Sequence, residues 1–396
     1  MKIALVIQKA LSRLGGKERY TLQLARTLVE QGHDVSILAS AFDNSFDSVD
    51  SNVTRIPLDG DSTSHFGRYR RFVDSVDQHL QSRHYDIVHA MLPVQQCDLY
   101  HLHSTLAADD VVNGHLREST SLGRHAQKFF NRFNRKRKYQ ADIENLLLAP
   151  ERTNRTTVIC PSNILADITA QFYPTSIGHI ITAPNGVNLT DFQPCDATEQ
   201  KRIRQSLGLP IDKTIGVLVA NNWGLKGVRE TIISLEELND PNVMIMIVGG
   251  DKPAPYERLA KTLGVEKQLI FAGRVADPRP HYHASDFFLL PTRSDACSLS
   301  TLEAVACALP AISTEQNGAC ELLTDGIHGF VISSTTDIQS LTQAMQTLAD
   351  ATSRKKMRQA CIDLRPALSW QTHVDKILRA YETLSLARAA RSQMPI

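Results

Sequence analysis

Short runs of β-branched and aliphatic residues alternate along the whole chain with longer stretches whose apolar residues recur every three or four positions. The first pattern is that of strands buried on both faces and the second that of amphipathic helices. Their alternation is the signature of α/β architecture with largely parallel sheets. In the first half the runs predict strands over residues 3–7, 35–40, 53–56, 87–91, 99–104, 158–161 and 179–183. The series then starts again, with strands over 214–220, 243–249, 269–273, 286–290, 311–314 and 329–333. Between the two series, Pro184-Asn185-Gly186-Val187-Asn188 and the polar stretch to Pro194 break both periodicities, which predicts a domain boundary and hinge. The expected organisation is an N-terminal domain over 1–184, a C-terminal domain over 185–370 and a last amphipathic helix over 371–396 that could pack back on the first domain.

Length agrees with two domains, since 396 residues exceed one core at about 150 residues per domain. A hydrophobic share of 42% excludes wholesale disorder. The balance of 43 basic against 42 acidic residues argues against a dedicated nucleic-acid binder. No apolar run reaches the roughly 18 residues of a spanning helix. The N-terminal run over 3–7 is too short for a signal peptide and no small-residue cleavage site follows it, so it reads as a strand. Seven cysteines, an odd number with no C-x-x-C pair, fit reduced thiols in a cytoplasmic protein.

The charge balance conceals one unlike segment. Residues 117–138 hold eight cations, Arg117, Arg124, Lys128, Arg132, Arg135, Lys136, Arg137 and Lys138, against the single acid Glu118. Phe129, Phe130 and Phe133 are interleaved on one helical face. That composition fits a helix lying on an anionic membrane surface, which would make the protein peripheral on the inner face of the plasma membrane. An ordinary solvated helix with its Phe side chains packed on the domain is the competing reading.

Three loops carry candidate chemistry. Leu14-Gly15-Gly16-Lys17-Glu18 joins the first strand to a helix, where glycines permit close approach of a ligand and the helix start offers N–H groups to an anion. Asn221-Asn222-Trp223-Gly224-Leu225-Lys226-Gly227 makes the same kind of join in the second half, with Lys226 placed to neutralise a phosphate. The segment from Pro291 to Ala304 sets Asp295 in a loop after a strand and Glu303 in the next helix, eight residues on. Two carboxylates can each accept from vicinal hydroxyls, so a sugar-bearing ligand is chemically sensible, with the N–H groups of the loop expected to point at it. His101 and His103 alternate on one predicted strand and so face the same way, but a third metal ligand is not evident. Asp59-Gly60-Asp61 imitates a D-x-D metal site but falls in a turn far from the other motifs, and His281 and His283 are expected on a helix surface.

The first and second loops, Pro184-Asn185-Gly186-Val187-Asn188 with Phe192 and Pro194, Phe271-Ala272-Gly273-Arg274-Val275, Ala284-Ser285-Asp286, and the acid at 295 followed by seven spacers and Glu303 resemble the retaining glycosyltransferases of the family-4 type. The resemblance spans essentially the whole chain and implies the GT-B architecture: α/β, two facing Rossmann-like domains with a cleft between them. Gly224-x-Lys226-Gly227-Val228 and Val248-Gly249-x-Asp251-Lys252-Pro253 are similar to the lipopolysaccharide-core enzymes that move glucose from UDP-glucose to a heptose. The implied function is a retaining, metal-independent hexosyltransferase with a UDP-sugar donor, glucose the favoured hexose, and a glycolipid or lipopolysaccharide-core acceptor. No cofactor beyond the nucleotide-sugar substrate and no nucleic-acid partner is implied.

Carried onto this chain, the resemblance implies that Glu303 binds the ribose, Lys226 the diphosphate, and Arg274 the base pocket. Asp295 would hold the donor sugar, the backbone of Ala296, Cys297, Ser298 and Leu299 would surround it, and Gly15 and Gly16 would approach from the other domain. His103 matches a histidine near the reacting centre, so the implied catalytic set is His103, Lys226 and Asp295. Three positions depart from the pattern: Asp295 stands for a usual Glu, Leu225 for an Arg and Ser298 for a Gly. An epimerase or phosphorylase of the same architecture, or a non-catalytic UDP-sugar binder, are the alternatives.

Overall fold

A computed structural model describes residues 1–11, 15–42, 52–117, 123, 125, 129, 131, 134–149 and 156–392. Contacts divide the chain into two units, Met1–Ala183 with Val374–Ile396, and Pro184–His373.

In the first unit seven strands, β1 (Lys2–Val6), β2 (Asp34–Ala39), β3 (Thr54–Pro57), β4 (Ile87–Ala90), β5 (Leu99–His101), β6 (Thr157–Cys160) and β7 (Ile180–Thr182), form one sheet in the order β3-β2-β1-β4-β5-β6-β7. Every pairing is parallel, with Val6 opposite Leu38 on one side and Ala90 on the other. This is the doubly wound order, which reverses direction between β1 and β4. The central strands are mostly apolar because both faces are covered: Ile3, Leu5, Ile37 and Ile87 are fully buried.

Helix α1 (Gly16–Glu30) covers one face with Tyr20, Leu24 and Leu28, spaced four apart and so stacked on one stripe. Burying each such leucine is worth about 1.5–3 kcal/mol. Helices α2 (His65–Ser82), α3 (Ala107–Val112) and α4 (Arg135–Leu147) complete the part of the layer that concerns function. Strand β5 ends at His101 instead of continuing to residue 104. After Leu102 donates to the Ile159 carbonyl at 2.9 Å, the chain turns away toward α3, leaving His103 beyond the strand.

Glu144 of α4 is a buried carboxylate that the sequence pattern does not single out. It accepts from the Tyr100 hydroxyl at 2.6 Å and from the Ala107 and Ala108 amides at 3.0 and 2.9 Å. Those are orphan N–H groups at the start of α3, so Glu144 ties α4, β5 and α3 together.

The second unit repeats the design with β8 (Thr214–Val219), β9 (Val243–Val248), β10 (Leu269–Gly273), β11 (Phe287–Leu290), β12 (Ala311–Thr314) and β13 (Gly329–Ile332). Their order is β10-β9-β8-β11-β12-β13, again all parallel, with the reversal between β8 and β11. Three helices matter below: α5 (Val228–Leu238), α6 (Arg279–His283) and α7 (Leu299–Ala306). The last helix, α8 (Trp370–Ser392), begins in the second unit and from Val374 onward belongs to the first, where the Tyr381 hydroxyl meets His89 Nδ1 at 2.7 Å.

Candidate active site

Because the sheet of the second unit reverses at β8 and β11, the loops leaving the carboxyl ends of these strands lie side by side, which is where open α/β sheets bind ligands. The loop after β8 carries Lys226 and the loop after β11 carries Asp295. They are bonded to each other, Lys226 Nζ to Asp295 Oδ2, at 2.5 Å, with 13% and 21% of the two side chains exposed. The rest of the contact is a backbone clamp. The Arg293 amide donates to the Leu225 carbonyl at 2.9 Å and its guanidinium to the Gly224 carbonyl at 2.5 Å. The same guanidinium pairs with buried Glu230 of α5. Gly227 adopts φ 75°, and a Cβ there would sit 2.1 Å from the Pro291 carbonyl oxygen, so glycine is demanded twice over.

The Asp295 loop is held from beneath by Asn317, which is wholly buried. Its side-chain oxygen accepts from the Ser298 amide at 3.2 Å and the Ala319 amide at 3.1 Å, and its amide donates to Thr301 Oγ1 and Ser313 Oγ, both at 3.0 Å. Asn185 adds a bond from its amide to the Cys297 carbonyl at 2.8 Å. Neither asparagine was given a role in the site by the sequence; Asn185 lies in the stretch read as a boundary and as one motif of the family resemblance.

These bonds correct one expectation. The Cys297 N–H donates to Asp295 Oδ1 at 3.2 Å and the Ser298 N–H to Asn317, so neither is turned to a ligand. A loop this deeply buried must satisfy its own amides within the protein. The Ser298 side chain is likewise occupied, capping α7 through the Thr301 amide at 3.2 Å. Burial also pushes the Cys297 thiol up.

Glu303 lies on α7, only 6% exposed, and accepts from the Tyr282 hydroxyl at 2.9 Å. Arg274 is exposed and leaves the end of β10 to lie against Gly250, where a Cβ would come within 2.7 Å of its Nε. His281 corrects a second expectation: it is buried, not on the helix surface, and burial lowers its pKa, while His283 bonds the Gln193 carbonyl at 2.9 Å.

In the first unit, Gly15 caps α1 and Gly16 begins it, while Leu14 lies outside the described residues. His103 and His101 do face the same way, their rings stacked 4.4 Å apart, and His101 stacks in turn on His89 at 5.3 Å. Tyr20 of α1 packs edge-on against His103 at 4.6 Å. Among the described residues no group of three His, Cys, Asp or Glu is arranged to hold a metal ion. Asp59-Gly60-Asp61 is a turn in which the Asp61 amide donates to Asp59 at 2.9 Å.

Of the basic segment, Arg124, Lys128, Arg132, Phe130 and Phe133 lie outside the described residues, as does Glu118. Phe129 is 61% exposed. Three of the last four cations are held by the domain itself: Arg135 over the Phe66 ring at 5.0 Å, Lys136 over the Tyr69 ring at 5.3 Å and Arg137 on Asn131 at 3.1 Å. No described helix is long and apolar enough to cross a membrane.

Two doubly wound parallel α/β domains in one chain are the GT-B architecture. Residues 14–191 match the family model described as Glycosyltransferase Family 4 and residues 213–351 that of Glycosyl transferases group 1, so the chain belongs to this family of glycosyltransferases.

Among relatives, the lipopolysaccharide glucosyltransferase WaaG of Escherichia coli (strain K12) is 24% identical over 339 residues, 84% of this chain and 85% of that one. A D-inositol 3-phosphate glycosyltransferase of Corynebacterium diphtheriae is 23% identical over 95% of this chain and 92% of its own. The crystal structure of WaaG superposes with a TM-score of 0.79 at 20% identity, covering 95% of this chain and 98% of the other. Anabaena Alr3699/HepE, solved with UDP-glucose, superposes with a TM-score of 0.71 at 19% identity over 97% of this chain and 99% of its own.

Proposed function

We propose that the enzyme transfers a hexose, glucose first among them, from a UDP-sugar to a glycolipid or lipopolysaccharide-core acceptor, with retention of configuration and without a metal ion. The observation that carries this reading is the Lys226–Asp295 pair at the strand reversal, followed on the next helix by the buried carboxylate of Glu303. The names of the relatives support it: one is a lipopolysaccharide glucosyltransferase and one was solved with UDP-glucose.

On this reading Glu303 accepts from the ribose hydroxyls and Tyr282 fixes the rotamer in which it does so. Lys226 exchanges part of its bond to Asp295 for the diphosphate, offsetting negative charge as the leaving group departs. Fixed cations contribute most where charge develops. Asp295, released in part from Lys226, accepts from a donor-sugar hydroxyl, and its shorter side chain is served by a loop that Asn317 and Asn185 hold in place. Arg274 lines the base pocket and His103 is the candidate catalytic group of the first unit.

The acceptor belongs to the first unit, with the exposed face near Phe129 and Lys138 turned to an anionic membrane surface. The relatives that act on an inositol phosphate favour a second acceptor class, a soluble phosphorylated polyol.

The test is an assay of UDP-glucose and UDP-galactose with and without lipopolysaccharide-core acceptor. Sugar transfer to the acceptor is expected. Product from UDP-sugar alone would favour an epimerase, and UDP binding with no turnover on any acceptor would favour a non-catalytic binder.

A further inference from the structure

We propose that the groove between β7 and α8 of the first unit is a second binding site, which takes a single-chain amphiphile with an anionic head, a fatty acid in its simplest form. The site goes beyond the glycosyl transfer proposed above and does not rest on it.

The groove follows from the way the sheet ends. Strand β7 pairs only with β6, and while β6 is buried throughout, all three residues of β7 are half-buried. Proteins ordinarily cover or blunt such an edge. Here the cover is α8, anchored by Val374, Ile377 and Tyr381, which are wholly buried. The neighbouring stripe of the helix, Lys376, Ala380, Thr383, Leu384 and Ala387, faces β7 across a cavity of about 740 Å³. Spacings of three and four residues put those side chains on one face. Ile181 and Thr182 line the β7 side, with Gly178 just before the strand. Every one of these residues belongs to the first unit, so the groove stands apart from the Lys226 loop.

Shape and charge together select the occupant. The volume lies within the roughly 300–1,000 Å³ of small-molecule sites. Ile181, Ala380, Leu384 and Ala387 suit an alkyl chain, and the helix advances about 16 Å from Lys376 to Ala387, which lets an extended chain lie along it. Left to water, such walls are an exposed apolar surface.

The charge is one-sided. Lys376 and Arg379 line the groove, and among the described residues neither is in an ion pair with a carboxylate. The carboxylate on the wall, Asp98, is already satisfied by the Val88 amide at 2.7 Å and by Arg388. A carboxylate head accepts from Lys376 and Arg379, three residues apart on the helix, while the methylene stems of both extend the apolar wall. An added peptide strand fits less well, because β7 offers it only three residues to pair with.

The test uses the full chain. Dodecanoate below its micelle concentration is titrated by calorimetry, beside acetate, which is the head alone, and dodecyl maltoside, which is the chain on a neutral head. The variants are the double Lys376→Gln/Arg379→Gln, the groove-filling Ala387→Trp and, matched in charge to the first, Lys355→Gln/Lys356→Gln, two exposed lysines of the second unit. Wild type is expected to bind dodecanoate saturably, dodecyl maltoside about tenfold more weakly and acetate not at all. The Lys376/Arg379 variant should bind dodecanoate about tenfold more weakly, Ala387→Trp should lose it, and the second-unit control should match wild type. Melting temperatures without ligand show which variants fold; should Ala387→Trp not fold, the paired Gln variants and the comparison ligands decide.

No saturable binding by wild type, equal affinity for dodecyl maltoside and dodecanoate, or equal weakening in the second-unit control would overturn the site. Mutual exclusion of dodecanoate and UDP would also overturn it, because the amphiphile would then occupy the donor site. Binding to phosphatidylglycerol vesicles without binding of dodecanoate would overturn it in favour of a membrane surface. Dodecyl phosphate run beside dodecanoate separates two anionic heads: tighter binding of either keeps the site and names its head.

Discussion

Lys226 and Asp295 stand 69 residues apart in sequence, yet the ammonium of one lies 2.5 Å from the carboxylate of the other. Each leaves a different strand at the point where the sheet reverses, so the fold makes the bond. A half-buried pair of this kind stores a cation and an acceptor that a diphosphate sugar can separate. If Lys226 meets the diphosphate, Lys226→Ala weakens UDP by about 1.5–3 kcal/mol, the worth of a hydrogen bond to a charged group. Asp295→Asn leaves the lysine without its competitor, so UDP affinity holds or rises while sugar transfer falls about 10- to 100-fold through lost positioning. Calorimetry and initial rates check both; equal weakening of UDP by the two variants would contradict the exchange.

Asn317 predicts a stability effect. Asn317→Ala strips buried partners from Ser298, Ala319, Thr301 and Ser313 together. A loss of about 2–3 kcal/mol in urea unfolding is expected, since an unsatisfied buried group costs about 1–3 kcal/mol. Transfer activity should fall beyond what stability explains, because the Asp295 loop loses its support.

Glu144 sets a pH dependence. Burial, outweighing its bonds to Ala107, Tyr100 and Ala108, raises its pKa above the usual carboxylate value. The folded state therefore holds the proton more tightly than the unfolded state. Its stabilisation is fully present below the unfolded value, about 4.3, and is lost as pH rises through the raised folded value. Denaturation of wild type and Glu144→Gln between pH 4 and 7 should show wild type losing stability relative to the variant as pH rises; a flat difference would contradict the assignment.

The cysteines make a simpler prediction. Cys160, Cys297, Cys307, Cys320 and Cys361 are buried and only Cys97 and Cys195 are half-buried. Burial pushes Cys160, Cys320 and Cys361 up to about 12. Iodoacetamide at neutral pH should therefore label no more than Cys97 and Cys195 in the folded protein and all seven in guanidinium, as read by mass spectrometry.

The strands were legible because parallel strands buried on both faces must be continuous apolar runs, and all thirteen described strands coincide with runs read from the sequence. Of the candidate site, Glu303 stood out as a carboxylate among apolar helix neighbours, while Lys226 and Asp295 were singled out by their loops after strands and by the family resemblance. Their partners were not. Asn317, Asn185 and Glu144 act through bonds to residues distant in sequence, and nothing in the local pattern of an asparagine or a helical glutamate announces such a bond. The loop amides of Cys297 and Ser298 were misread for the same reason, since only the fold brings Asn317 beneath them. His281 was misread because α6 is one turn long, too short for its buried face to register as a period.

The central claim is that the second unit holds a nucleoside diphosphate with its ribose on Glu303. The most direct measurement is calorimetric titration of UDP into wild type and Glu303→Ala, with melting temperature recorded alongside. The account predicts weaker binding by roughly 1–3 kcal/mol in a folded variant. UDP affinity equal to that of wild type would contradict it.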